Sequence, residues 1–398
     1  MNIEGYDLNV PSLVRLGVGK ISELGGIVSN YGSSAWLVTG TNSFDATGVA
    51  ERVSDSLAGS GVTARKIASS KGEPTVDDVV RVMASLPPQY EDIVVVAIGG
   101  GATIDLAKAV AALVTNLKEG EIREDIDLGV INRLEGVGRN LSIKNAPLPV
   151  VAVPTTAGTG AEATRNAVIS CSRRRFKKSM RSPMMVPRAA LIDPLLCTSC
   201  PRMTTVATGM DAITQLIESF ICRFAQPIPQ ALVLDALPRA IQALPRILRD
   251  SHDLEARTDM SHAAFVSGVA LANSGLGMAH GVAAALGVEC GTPHGLACAV
   301  MLPVALRTNL KTAASQLAQL ERCITLKPSK GEERDAEAFV DRIETLCHEV
   351  GVPRRLSDIG LPPDKVAWLA ENSRGASMRG NPRTVTEVEL QEILQQYL

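Results

Sequence analysis

Three side chains in the second half of the chain are of the types that hold a divalent cation: Asp211 in TGMDAITQLIE, His280 in GLGMAHGVAAALG and His294 in GTPHG. One carboxylate and two imidazoles supply three ligand atoms and leave coordination positions over. That is the design of a catalytic metal site, because the vacancy can polarise a substrate oxygen. Asp211 lies among apolar residues, where a carboxylate stays ionised only beside a cation or several donors. Gln215, four residues on, projects from the same helical face. His280 sits in a closely packed run of small residues, and His294, between Pro293 and Gly295, reads as a residue on a tight turn. Each also has an ordinary structural explanation. Asp211 suits a helix N-cap satisfied by backbone amides, and a single buried histidine is more often structural than a ligand. His252, His262 and His348 read as surface or ordinary core. Spacing along the chain does not join Asp211, His280 and His294.

A second kind of chemistry is suggested upstream. Gly99, Gly100 and Gly101 follow the apolar run DIVVVAI and open the helical pattern ATIDLAKAVAALVT. Glycines there let the backbone approach a phosphate, and the helix N-terminus adds free N–H groups and a favourable dipole. Asp105 and Lys108 fall on the first turns of that helix. The pattern is not G-x-G-x-x-G, so an ordinary Rossmann assignment is not supported. A polar turn, Thr155, Thr156, Ala157, Gly158, Thr159 and Gly160, ends the strand-like LPVVAVP. Hydroxyls at a strand's C-terminal end suit contacts to phosphate, ribose or the nicotinamide amide. The turn also fits a plain capped strand-to-helix junction with Glu162 just beyond it.

These residues need two different supports. Up to about Asp193 the chain alternates between strand and helix. SAWLVTG, VTARKIAS, DIVVVAIGGG and LPVVAVPTT read as strands, and ATGVAERVSDSLAGSG, PTVDDVVRVMASL and IDLAKAVAALVT read as helices. Such alternation predicts a mostly parallel sheet with helices on its faces. LKEGEIREDIDLGVINRLEGVGRN reads as an irregular surface connection. Beyond Pro194 the patterns are helical and no convincing strand appears. The expected architecture is an α/β domain over 1–193 and an all-helical domain over 194–398. With 398 residues, two domains are the default. The 40 basic and 42 acidic residues nearly balance, so nothing draws the chain to nucleic acid or an anionic membrane. The basic cluster Arg173, Arg174, Arg175, Lys177 and Lys178 reads mostly as a solvated turn. No run is long and apolar enough to span a bilayer. The start MNIEGYDLNVPS lacks signal-peptide regions. Eight scattered cysteines, among them the pair Cys197 and Cys200, do not form a disulfide framework. A cytoplasmic protein is expected.

From SAWLVTG to about residue 310, and more weakly to the end, the chain resembles the iron-containing (group III) alcohol dehydrogenase family, similar in fold to glycerol dehydrogenase and dehydroquinate synthase. GGGATIDLAKA, PLPVVAVPTTAGTGAEAT, LIDPLLCTSCPRMTTVATGMDAITQLIE and GLGMAHGVAAALGVECGTPHGLA carry the likeness, in the family's order. It implies a nucleotide-binding α/β domain, a helical domain and an active site in the cleft between them. It implies that Asp211, His280 and His294 fall on metal-ligand positions and act in catalysis. Gly99, Gly100 and Gly101 fall on the pyrophosphate loop. Thr155, Thr156 and Thr159 fall beside the cofactor, and Lys178 falls on a lysine near the nicotinamide. Gly40, Asn42 and Asp105 complete the expected cofactor-binding set. A dimer or larger homo-oligomer is expected on the same ground.

Three departures from the family pattern stand out. Gln215 occupies the position of a fourth ligand that is typically histidine. As a neutral oxygen donor it is expected to weaken affinity and shift preference from iron toward zinc or another ion, although the glycerol dehydrogenase branch manages with three protein ligands. Ala284 stands where a further histidine often serves as a proton relay. Gly40 ends a strand where NAD-preferring members often carry an aspartate, so nothing there repels the 2′-phosphate of NADP. The expected activity is a metal-assisted hydride transfer between NAD(P) and a small alcohol or carbonyl substrate, with Fe2+ or Zn2+ as the metal. A maleylacetate reductase-like enzyme, a dehydroquinate synthase-like lyase and a catalytically silent nucleotide-binding homologue are the alternatives.

Overall fold

The computed structural model describes residues 5–41, 44–45, 48–87, 89–117, 121 and 126–398. Asn42 therefore lies outside the described residues. The chain divides into a sheet unit, chiefly Asn9–Thr156 and Gly160–Cys200, and a helical unit, chiefly Pro201–Leu398 with Ala157–Thr159. The sheet unit extends past Pro194 to Cys200 because Asp193 is tied into it. The buried Asp193 carboxylate accepts from the backbone N–H groups of Gly19 (3.0 Å), Ile21 (3.1 Å) and Leu195 (3.1 Å).

Six strands form a parallel sheet: β1 (Leu13–Leu16), β2 (Ser34–Gly40), β3 (Thr63–Ser70), β4 (Ile93–Gly99), β5 (Val150–Pro154) and β8 (Ala189–Ile192), in the order β1-β8-β5-β4-β2-β3. The central strands are apolar throughout because both faces are covered. Along β4, Val95 and Ala97 face one core with Trp36, Val38 and Ala152, while Val94, Val96 and Ile98 face the other with Leu37, Val151 and Leu191. Helices α1 (Leu24–Val28) and α2 (Val49–Gly59) supply Leu24, Val28, Val53 and Leu57 to the second core. Helices α3 (Val76–Ser85) and α4 (Gly101–Asn116) cover the first. Thr75 starts α3 through a capping box with Asp78.

Two features differ from the sequence reading. Within the segment read as an irregular surface connection, Ile126–Ile131 forms a helix, α5. Its last residues and Leu134 are buried with Val79, Val82 and Leu113, so this apolar cluster orders a stretch whose overall polarity suggested a loop. The basic cluster is only partly a turn. Phe176–Arg181 forms β7, antiparallel to β6 (Asn166–Cys171), with Lys178 opposite Ile169.

Beneath α4 lies a buried polar cluster. Lys108 is fully buried, and its ammonium donates to the carbonyl of Ala161 (2.9 Å) and to Thr164 Oγ1 (2.9 Å), 3.2 Å from Asp105 Oδ1. The other Asp105 oxygen accepts from the Val168 N–H (3.0 Å), joining α4 to β6. Burial pushes the Glu162 carboxyl from 4.5 up to about 7, opposed by its own backbone N–H and by Lys108. A raised carboxyl pKa means that the folded state resists ionisation. Stability is then lost as pH rises from about 4.5 to about 7, by an upper bound of about 3 kcal/mol. Glu162→Gln should be more stable than the parent at pH 8, with the difference vanishing below pH 4.5. Urea midpoints of the two proteins across that range check this.

The helical unit contains α6 (Arg202–Ile221), α7 (Pro227–Arg249), α8 (Leu254–Asn273), α9 (Met278–Cys290), α10 (His294–Asn309) and further helices to the C-terminus. Met210, Ile213, Leu237, Ala264, Val282 and Leu302 belong to one continuous core. Among the described residues no single helix is long and apolar enough to cross a membrane.

Candidate metal centre and nucleotide loop

Three helices of the helical unit bring the candidate ligands together. Asp211 lies mid-helix on α6, not at an N-cap, so the backbone N–H groups that a capping aspartate uses are already committed. His280 is in the first turn of α9. His294 is the first residue of α10, with Pro293 as its N-cap, rather than part of a free turn. The helices approach closely at this point. A Cβ on Gly295 would lie 2.2 Å from the carbonyl oxygen of Ala207 and 3.2 Å from Asp211 Cβ, so only glycine lets α10 start this near to α6. The rings of His280 and His294 meet edge to face, with centroids 5.5 Å apart.

The start of α9 is secured from outside. Gly277 provides no capping side chain. Instead the Met278 N–H donates to Asn381 Oδ1 (3.1 Å), and the Ala279 and His280 N–H groups donate to Glu218 Oε1 (2.7 Å) and Oε2 (3.4 Å). Glu218 Oε2 also lies 2.7 Å from His280 Nδ1, while Nε2 lies 3.2 Å from Asp211 Oδ1. A carboxylate on Nδ1 fixes a proton there and aims Nε2 at Asp211, the arrangement that orients metal-bound histidines.

A fourth donor joins the set. Cys298, four residues after His294 on α10, is fully buried, and its sulfur lies 3.7 Å from His294 Nε2. One ligand atom each from Asp211, His280, His294 and Cys298 all lie within 4.8 Å of one another. Sequence reasoning missed Cys298 among the scattered cysteines. The signal was its i, i+4 spacing from His294, which becomes legible once HGLACAVML is a helix. Gln215, one turn beyond Asp211, is differently occupied: its Oε1 accepts from Ser267 Oγ (2.8 Å) and its Nε2 donates to the Thr159 carbonyl (3.4 Å).

The electrostatics suit a cation. Burial works against the Asp211 carboxylate, yet the hydrogen bond from His280 and the nearby His294 hold its pKa below the ordinary value. Burial likewise opposes a charged His280 ring, but Cys298, Asp211 and Glu218 around it raise its pKa well above that of a free imidazole. Burial pushes the Cys298 thiol up to about 12, against the pull of His280. This donor set of carboxylate, imidazoles and thiol is concentrated and stabilises positive charge, which fits a divalent cation.

In the sheet unit, Gly100 caps α4 directly after β4. A Cβ on Gly99 would lie 2.3 Å from Thr103 Oγ1, so the strand-to-helix junction requires glycine. Thr155 is buried beside Gly99, whose carbonyl accepts its N–H (3.0 Å). Thr156 packs against Gly100. Gly40 ends β2 opposite Ser70. Lys178 is half-buried on β7. The structure thus groups Gly99–Gly101 with Thr155 and Thr156 at adjacent strand ends, while Thr159 belongs with the helical unit and Asp105 faces Lys108 and β6.

Both units match models of one family: "Iron-containing alcohol dehydrogenase" over residues 11–194 and "Fe-containing alcohol dehydrogenase family, C-terminal" over residues 205–398. The chain belongs to the iron-containing alcohol dehydrogenase family. Its similarity to a probable alcohol dehydrogenase, EutG, of Salmonella typhimurium is 32% identity over 96% of this chain and 92% of that protein. It is 31% identical to lactaldehyde reductase of Escherichia coli over 95% of each chain. Among solved structures, 1,3-propanediol oxidoreductase superposes with a TM-score of 0.89 at 27% identity, covering 99% of this chain and 100% of that one. An iron-containing alcohol dehydrogenase of this sequence should depend on Glu218 for the poise of His280. Glu218→Gln should lower metal affinity by roughly 10–100-fold, measured by competition with a chelator. Unchanged affinity would show that the Glu218–His280 contact does not tune the site.

Proposed function

We propose that Asp211, His280 and His294 hold a divalent cation, Fe2+ or Zn2+, and that the loop at Gly99–Gly101 holds the pyrophosphate of NAD or NADP. The protein is an oxidoreductase that transfers a hydride between that nucleotide and a small alcohol, aldehyde or ketone. The convergence of the three donors on one buried point carries the reading of the metal site. When bound, the cation polarises the substrate oxygen and the nicotinamide takes up or delivers the hydride.

The chain's own residues set the conditions. Glu218 keeps the proton on His280 Nδ1, so Nε2 is the ligand atom. Burial of Asp211 and His280 excludes bulk water and strengthens their electrostatic influence. The N-terminal N–H groups of α4 would suit the phosphate charge, and on the family likeness Thr155, Thr156 and Thr159 would contact the cofactor. Lys178 stands beside the nicotinamide in this reading, on the strength of the family likeness. Ala284 provides no proton acceptor, so the substrate hydroxyl proton leaves through water or a ribose hydroxyl. Relatives named alcohol dehydrogenase and lactaldehyde reductase support a small alcohol or carbonyl substrate. Eight cysteines without a disulfide support a reducing, cytoplasmic setting. Assembly as a dimer or larger oligomer rests on the family likeness and is checked by sedimentation.

Asp211→Asn should lower kcat/KM for alcohol oxidation by about 10³-fold, several kcal/mol of lost stabilisation, and reduce bound metal. Steady-state kinetics with metal analysis of the same preparations check this, and full activity in the variant would refute the assignment. Gly40→Asp should weaken NADPH and spare NADH, because a carboxylate at the end of β2 repels a 2′-phosphate. Fluorescence titration of both nucleotides reads the change; equal affinities before and after would place the ribose elsewhere.

A further inference from the structure

We propose that Cys298 is a fourth protein ligand of the cation, supplying as thiolate the position that Gln215 leaves vacant. The inference rests on the reading of Asp211, His280 and His294 as metal ligands. Two independent observations carry it. The first is the position of Cys298: its sulfur converges with the other three donors within 4.8 Å and lies 3.7 Å from His294 Nε2. His294 and Cys298 are one helical turn apart on α10, so a single rigid helix presents both to the same point. The second is the commitment of Gln215. Its amide oxygen accepts from Ser267 and its amide nitrogen reaches the Thr159 carbonyl, so both ends of the side chain hold together α6, α8 and the 157–159 segment.

The chemistry has consequences for the metal. Binding forms a metal–sulfur bond and breaks the S–H bond, with the proton passing to solvent. The donor set then contains two anions, Asp211 and the Cys298 thiolate, which balance a divalent charge. A thiolate is softer than the amide oxygen it replaces, so the site favours zinc or cobalt over magnesium or manganese. The ligand count returns to four, with sulfur in the set.

Cobalt tests the proposal without reference to turnover. Purified full-length protein, stripped with a chelator, is titrated with Co2+ while the near-ultraviolet and visible spectra are recorded. The parent should bind one Co2+ per chain and develop a thiolate-to-cobalt charge-transfer band. Cys298→Ser should lose that band while still binding cobalt more weakly through the other donors. Gln215→Ala should keep both the band and the stoichiometry. One equivalent of cobalt without the band in the parent would overturn the role of Cys298 and leave the three-ligand site standing. Persistence of the band in Cys298→Ser would assign the sulfur to another cysteine and equally overturn it. If the parent binds no cobalt, the metal reading and this proposal fall together.

Discussion

One buried carboxylate, Glu218, holds the candidate metal centre in register. It accepts from the backbone at the start of α9 and from His280 Nδ1 at the same time. The uncapped N-terminus of a buried helix and an imidazole without a fixed tautomer would each be costly, since unsatisfied buried donors lose their hydration without return. A single side chain on α6 satisfies both, and in doing so fixes the distance from Asp211, two turns earlier on the same helix, to His280 on the next. The position of the histidine is thus tied to the helix cap.

Close packing supplies the rest of the positioning. Gly295 lets α10 start against the Ala207 carbonyl, and that contact carries both His294 and Cys298 to the side of Asp211. A methyl group at Gly295 would push the helix away and disperse the donors. Burying this many polar groups is tolerated because they face one another. The cost of burying Asp211 is offset by His280 and His294, and a cation would offset it further.

Much of the fold was legible in the sequence because its signals are local. The continuous β-branched run of β4 and the helical spacing of PTVDDVVRVMASL are written in neighbouring residues, and so is the glycine junction into α4. The short strands β1 and β8 and the β6–β7 hairpin were not distinguished, since LVRL and AALI are too short to show a period and the hairpin's alternation is masked by its basic residues. Helix α5 was missed because its burial depends on α3 and α4 rather than on its own composition. In the metal centre, family likeness pointed to Asp211, His280 and His294, whose separation along the chain hides their convergence. Glu218 and Cys298 could not be recognised before the helices were placed. Each is an ordinary residue of a buried helix until its neighbours across the interface are known.

The proposed cation site is the point where α6, α9 and α10 converge. Anomalous diffraction from crystals of the metal-loaded protein tests it most directly. One strong peak per chain is expected within bonding distance of Asp211, His280 Nε2 and His294, with Glu218 still on His280 Nδ1. A peak held by other residues, or none at this point in a protein that analysis shows to contain metal, would contradict it.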